Sequence, residues 1–346
     1  DVSSDYNGQY ISCFGDTDGE ITAAISGGTP PYIYSINGSP FSSNFVFSGL
    51  GAGTYTISYR DANGCDTSEQ ITLFNPPQLS GTVSINQQIS CFGGCDGELE
   101  FQVDNILTGT PPYTYSIDGG VTFQNSPIFS GLCVGPYSII VQDANQCFSQ
   151  ANKVLFQPTA LTFTDSTSDY NGFNISCNGY SDGLIKFMSD TGGTPPYTYS
   201  IDGGSSFSNQ TVYSNLTAGT YDLVLKDAND CETLITVVLT EPPLFEITYS
   251  IDSGITCPSS CDAGITAVPN NGVLPILYTL TSSISSSSQP FPTWTGLCED
   301  NYVIDAVDAN GCSTSTSVSL VAPLPFVYTL DSMMETCDLS NGMASI

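Results

Sequence analysis

The chain has 346 residues, with 34 acidic and 4 basic side chains, a formal net charge of −30 and no histidine. The shortage of basic side chains excludes a nucleic-acid partner and a polybasic membrane contact, because phosphate groups require a basic patch. The sequence has no run of 18 apolar residues, so we expect no transmembrane segment. With 40% hydrophobic residues, including 19 Tyr and 18 Phe, it has enough apolar side chains to fold.

Four copies of one sequence pattern follow one another along the chain. Each copy opens with a cysteine and closes with a DAN-x-C phrase, and three copies contain TPPY followed by a strand-like segment. The opening cysteines are Cys13, Cys91, Cys177 and Cys257. A fifth, Cys337, starts a copy that the sequence does not complete. We therefore expect the chain to be a segment of a longer polymer.

The copies are joined by proline-rich segments such as FNPPQL and TEPPLF, which set the predicted boundaries. We refer to the copies as repeats 1 to 4 and expect the first strand of repeat 1 to be missing. The predicted bounds are residues 1–77, 78–158, 159–243 and 244–323, followed by 324–346 as the incomplete start of repeat 5. Stiff proline joints predict a semi-rigid rod.

Alternating side chains in every repeat predict half-buried β-strands. In YTISYRD, for example, Tyr55, Ile57 and Tyr59 face one side of the strand. The phrases IDGG and INGS supply the residues of tight turns. No segment has a convincing helical period. The sequence predicts an all-β protein, a tandem array of immunoglobulin-like β-sandwich repeats held by disulfides.

The even repeats each have two additional cysteines, Cys95 with Cys133 and Cys261 with Cys298. Two positions that both have cysteine in the even repeats and both lack it in the odd repeats are expected to be bonded to each other. The opening and closing cysteines of each repeat then remain as the other pair. We thus expect these pairs: Cys13–Cys65, Cys91–Cys147, Cys95–Cys133, Cys177–Cys231, Cys257–Cys312 and Cys261–Cys298. A four-cysteine zinc site in each even repeat, or a redox pair, is the alternative. Paired cysteines predict an oxidising, extracytoplasmic location.

The combination of C…DG, GGTPPYTYSI, AGTY and DANGC with a proline-rich joint resembles the SprB-type repeat of gliding-motility adhesins and other giant surface proteins of Bacteroidota. The resemblance implies export to the cell exterior, a surface filament and contact with a substratum. Repeat 4 departs most from the pattern, with NGVLPILY in place of the TPPY segment and EDNY in place of AGTY.

Acidic residues recur near the opening and closing cysteines, where carboxylates and turn carbonyls can bind Ca²⁺. The alternative is turn chemistry, in which Asp accepts hydrogen bonds from its own backbone. The candidate ligands are Asp16, Asp18, Asp61, Asp96, Asp143, Asp182 and Asp227. The tyrosines of PPYTY are expected in the core, with a sugar-stacking platform as the alternative. Trp294 fits either a core or an exposed contact.

No catalytic constellation is recognisable, so we expect no enzyme, and no cofactor other than the calcium considered above. The sequence predicts a structural and adhesive stalk segment of a long, secreted surface filament. Its expected partners are a substratum, polysaccharide or other surface proteins, with self-association into filaments. The alternative is an array of glycan- or protein-binding modules, which would carry a distinctive exposed aromatic surface.

Overall fold

The computed structural model describes residues 4–104, 108–329, 331–332 and 344–345, and all regular structure in these residues is β-strand. The chain packs as two compact units. The first comprises residues Asp1–Leu161, Gly192–Pro195 and Ala228–Cys231. The second comprises Thr162–Thr191, Pro196–Asp227 and Glu232–Ile346.

The described residues of repeats 1 and 2 form eleven strands. They are β1 (Gly19–Thr22), β2 (Ile33–Ile36), β3 (Val46–Leu50), β4 (Gly53–Arg60), β5 (Asp66–Leu73), β6 (Gly81–Gln87), β7 (Gly97–Val103), β8 (Thr114–Ser116), β9 (Ile128–Leu132), β10 (Gly135–Gln142) and β11 (Phe148–Leu155). In repeat 2 the strands form two antiparallel sheets, β6-β7-β9 and β11-β10-β8. Repeat 1 has β1-β3 and β2-β4-β5, and its described residues contain no counterpart of β6.

Repeats 3 and 4 follow the same plan. Their strands are β12 (Thr162–Thr167), β13 (Gly183–Thr191), β14 (Thr198–Ser200), β15 (Val212–Leu216), β16 (Gly219–Lys226), β17 (Glu232–Leu239), β18 (Glu246–Ser253), β19 (Ala263–Asn270), β20 (Leu277–Thr281), β21 (Ser286–Gln289), β22 (Thr293–Leu297), β23 (Asp300–Val307) and β24 (Ser313–Leu320). The sheets are β12-β13-β15 with β14-β16-β17, and β18-β19-β22 with β21-β20-β23-β24.

The predicted alternation places the core of each repeat between its two sheets. In repeat 2 the fully buried side chains include Leu99, Phe101, Ile139 and Leu155, which come from both sheets. The β10–β11 ladder pairs residues without interruption from Gly135 with Leu155 to Gln142 with Phe148. The inward residues of neighbouring strands therefore share one face, as the period of 2 requires.

A tyrosine near the start of one long strand closes the same loop in every repeat. The Tyr137 hydroxyl donates to the Cys133 carbonyl at 2.9 Å, four residues upstream. The other three are Tyr55 to Gly51 at 2.9 Å, Tyr221 to Thr217 at 3.0 Å and Tyr302 to Cys298 at 3.1 Å. The bond explains the tyrosine of the AGTY phrase and its retention in the divergent EDNY of repeat 4.

The predicted fold class is confirmed: the chain is all-β, built of immunoglobulin-like sandwich repeats with disulfides. The repeat boundaries and the rod stay predictions. In the predicted start of repeat 5, β25 (Asp331–Ser332) pairs with β26 (Ala344–Ser345). Cys337 lies outside the described residues.

Candidate functional site: the disulfide joints between repeats

Among the residues that the structure describes, three disulfides join consecutive repeats. Each links the opening cysteine of one repeat to the closing cysteine of the next, and each lies inside one compact unit. The pairs and their Cα separations are Cys13–Cys147 (5.5 Å), Cys91–Cys231 (5.6 Å) and Cys177–Cys312 (5.5 Å). We call each set of opening loop and closing turn a joint.

The expected pairing of opening and closing cysteines within one repeat, Cys13–Cys65, Cys91–Cys147, Cys177–Cys231 and Cys257–Cys312, is wrong. In repeat 2 the opening loop lies beside the start of β10, because Gly97 pairs with Leu132 and Cys95 is bonded to Cys133. The closing turn follows the other end of this strand of 8 residues, about 25 Å away at 3.3 Å per residue. A disulfide requires Cα atoms within roughly 7 Å. The closing turn therefore reaches only the opening loop of the preceding repeat.

The opening loop is positioned by an isoleucine two residues before the cysteine. Ile89 is 3% exposed in the core of repeat 2, and equivalent residues are buried in the other repeats: Ile11, Ile175 and Ile255. Asp96 accepts a hydrogen bond from the Ser90 backbone at 3.0 Å. Hydrogen bonds from the side chain and backbone of Ser90 hold the pKa of Asp96 below its usual value. The glycine of the DG phrase fits a crowded position, because a Cβ on Gly97 would lie 2.6 Å from Leu155 Cδ1.

The closing turn is organised by the aspartate of DAN-x-C. Asp143 is buried, and one of its carboxylate oxygens accepts the backbone N–H groups of Asn145 and Cys147, both at 2.9 Å. The other accepts the N–H of Thr110 at 2.8 Å, which ties the turn to the TPPY segment. This geometry recurs at Asp61 and Asp308.

The asparagine of DAN-x-C reaches across the joint. Asn145 Nδ2 donates to the carbonyls of Tyr6 at 3.2 Å and Ser12 at 3.4 Å in the preceding repeat, and to Thr110 Oγ1 at 3.3 Å in its own. Asn7 of the SDYNG phrase donates in turn to Asn145 Oδ1.

The same contacts occur in the other joints. Asn310 donates to the Tyr170 and Ser176 carbonyls at 3.4 and 3.2 Å. Asn229 donates to the Ser90 carbonyl at 3.1 Å. The SDYNG phrase, which stands before the opening cysteine in repeats 1 and 3 only, was a signal for the contacts of Asn145 and Asn310. The sequence pattern alone did not reveal that this phrase binds the next repeat.

The structure contains both bonds expected between the additional cysteines, Cys95–Cys133 and Cys261–Cys298, each with Cα atoms 3.9 Å apart. In repeat 1 the equivalent residues, Thr17 and Gly51, also lie together, because a Cβ on Gly51 would be 3.3 Å from Thr17 Cγ2. The bond thus replaces an existing contact that fixes the opening loop.

The candidate calcium ligands lie at two kinds of position, in the opening loops and in the closing turns. Asp18 and Asp182 accept the backbone N–H groups of Ser12 and Ser176, both at 3.1 Å. Asp16 accepts the Ser12 hydroxyl at 3.1 Å. Burial raises the pKa of Asp18, but the hydrogen bonds from Ser12 outweigh it and lower that pKa overall.

The closing-turn candidates are Asp61, Asp143 and Asp227. Asp61 has a lowered pKa because the backbone N–H groups of Cys65 and Thr29 bind the carboxylate, whereas Asp227 is buried. Among the described residues no three Asp, Glu or Cys side chains converge as metal ligands. Turn chemistry therefore accounts for the hydrogen bonds of the candidates described above.

The aromatic candidates divide between the core and the surface. Tyr115 and Tyr199 of the PYTY strands are buried, and Trp294 is 7% exposed with its ring 6.5 Å from that of Tyr278. Several exposed rings lie at equivalent loop positions of repeats 1 and 2. Among them are Phe14 and Phe92 after the opening cysteine, and Phe74 and Phe156 in the proline-rich segments that follow these repeats.

These features define a class of protein, a tandem array of all-β repeats joined by disulfides. A family model described as the SprB repeat matches residues 11–41 and 173–206, which are equivalent parts of repeats 1 and 3. These two matched regions support a SprB-type repeat protein. No curated protein matches it in sequence. Along the described part of the chain no helix has the length and apolarity needed to cross a bilayer.

Two solved structures show the degree of likeness to other arrays. One is the N-terminal eight Ig domains of Down Syndrome Cell Adhesion Molecule, with 11% identity, a TM-score of 0.22, and coverage of 90% of this chain and 58% of that one. The other is the Protocadherin GammaB4 extracellular domain, with 11% identity, a TM-score of 0.26, and coverage of 89% and 64%. Both TM-scores are below 0.5.

Proposed function

We propose that the chain is a structural and adhesive stalk segment of a long, secreted cell-surface filament of the gliding-motility type. The observation that supports the proposal is the series of joints. The opening loop of each of the first three repeats is bonded to the closing turn of the next. A pulling force along the chain then passes through disulfides as well as the peptide backbone, which suits a stalk under tension.

The chain works outside the cell, at the exterior of the outer membrane, since disulfides persist in oxidising surroundings. Its partners are a substratum, polysaccharide or other surface proteins. It is not an enzyme and needs no cofactor: its recurrent aspartates organise turns, as Asp143 does by accepting backbone N–H groups of its own turn.

Force microscopy tests the stalk and the adhesion separately. The oxidised chain is attached by one end to a force-sensing tip and lowered onto glass, a polysaccharide film or a film of cell-surface proteins. We expect detachment events on at least one surface, without stepwise lengthening of the chain before detachment. Absence of detachment events on all three surfaces would refute the adhesive role, and stepwise lengthening would refute the stalk. The matched control is the same chain after reduction and thiol blocking.

A second candidate function, an array of glycan- or protein-binding modules, is favoured by the exposed phenylalanines. Phe14 and Phe92 are 54% and 59% exposed at the same loop position. Contiguous exposed apolar surface is typical of sites that contact other molecules. Substituting both by serine should abolish detachment events if they form the contact. Phe291→Ser is the control, because this residue of repeat 4 is 71% exposed and lies outside the opening loops.

A further inference from the structure

Two cysteines of the described residues, Cys65 and Cys257, have no disulfide partner, and both are exposed. Their places follow from the order of the joints. Cys65 is the closing cysteine of repeat 1, and Cys257 is the opening cysteine of repeat 4. Each therefore lies on one half of a joint whose other half is not supplied by repeats 1 to 4.

The half at Cys65 has the structure of the bonded closing turns. Gly64 has a φ of 80°, and the equivalent Gln146 and Gly311 have φ values of 68° and 85°. Asn63 Nδ2 donates to Thr29 Oγ1 at 2.9 Å, as Asn145 does to the equivalent threonine. Asn63 is exposed, whereas Asn145 is half-buried against the preceding repeat. The turn is thus formed in advance, with its cross-joint donor facing solvent.

The half at Cys257 has the structure of the bonded opening loops. Ile255 is buried, and Asp262 accepts the backbone N–H of Thr256 at 3.1 Å, as Asp182 accepts that of Ser176. Thr256 and Cys257 are exposed, whereas Ser176 and Cys177 are buried beneath the next repeat. The Thr256 carbonyl occupies the position of the carbonyls that accept the asparagine across each bonded joint.

We propose that these halves are complementary docking surfaces for a second copy of this chain, so that molecules join head to tail. Cys257 of one copy bonds Cys65 of the next, and Asn63 donates to the Thr256 carbonyl. The interface continues the one formed three times within the chain, and a heterologous contact of this kind is open-ended. The two thiols give up two protons and two electrons to a disulfide oxidant such as oxidised glutathione, which becomes two reduced glutathione molecules.

The test uses the full chain with Cys337→Ser as background, so that this cysteine does not contribute. Cys65→Ser and Cys257→Ser variants are incubated separately and as an equimolar mixture in a glutathione redox buffer. The salt concentration is moderate, because two chains of −30 net charge repel each other. Species are separated without reduction, and the linking peptides are identified by mass spectrometry.

We expect each variant alone to stay monomeric and the mixture to form a dimer linked by Cys65 and Cys257. Adding Asn63→Ala to the variant that keeps Cys65 should lower the equilibrium constant for formation of the linked dimer by about tenfold, because a cross-joint hydrogen bond is lost. Dimers in either variant alone at the yield of the mixture would mean chance oxidation and would overturn the proposal. So would a mixture that stays monomeric. Neither outcome bears on adhesion or load in a single chain, so the proposed function is tested apart from this inference.

Discussion

The order of the disulfides sets how far the chain can be stretched. Cys13–Cys147 and Cys177–Cys312 bypass most of the sequence. The shortest covalent path from end to end contains only residues 1–13, 147–177 and 312–346. At about 3.5 Å per residue, this path of about 80 residues extends to about 280 Å, whereas the fully reduced chain reaches about 1,200 Å.

Single-molecule pulling between the two chain ends measures these lengths directly. We expect the oxidised chain to stop lengthening at about 280 Å at any force below that which breaks covalent bonds. Removing one bond that lies on the path, with Cys13→Ser and Cys147→Ser, should raise the limit to about 600 Å, because the shortest path then contains residues 1–91, 231–261 and 298–346 and passes through the Cys91–Cys231 and Cys261–Cys298 bonds.

The Cys91–Cys231 bond provides a matched control, since the shortest path does not use it. Substituting both of these cysteines by serine should leave the limit unchanged. Pairing within repeats predicts instead a path of about 130 residues and a limit of about 460 Å for the native oxidised chain. A limit at that length, or a longer limit in the control variant, would refute the joints.

Three other predictions follow from single side chains. Asn145→Ala should lower the free energy of unfolding by about 1–3 kcal/mol, measured by denaturant titration, because its cross-joint hydrogen bonds are lost. Asn63 has only the hydrogen bond within its own repeat, so an equal loss for Asn63→Ala would contradict this. Phe101→Ala should cost about 3–5 kcal/mol, since the ring is fully buried, and a loss under 1 kcal/mol would contradict the described core. Hydrogen bonds from Ser200 and Ser206 lower the pKa of Asp202 to about 2. Its stabilisation should therefore be complete above about pH 4 and be lost as the pH falls towards 2, a loss that Asp202→Asn should remove from an acid-unfolding curve.

Much of the fold was predictable because the sequence repeats its signals. Alternation placed Ile57 and Tyr59 in the core of repeat 1, where both are buried. The coordinated gain of cysteines identified Cys95–Cys133. The even repeats have both cysteines of this pair and the odd repeats have neither, so a comparison of neighbouring repeats shows that the two belong together. The closing-turn aspartates were predictable as turn residues for a local reason, since their partners lie within four residues along the chain and in the TPPY segment.

The pairing of the opening and closing cysteines was ambiguous in the sequence, because every repeat contains both. A link within one repeat and a link to the next repeat produce the same list of cysteines. What distinguishes them is distance along a strand. Once Cys95–Cys133 places the opening loop at the start of β10, the closing cysteine at its far end is about 25 Å away. Strand length combined with the nested bond therefore excludes the pair within a repeat and leaves only the neighbouring repeat as partner.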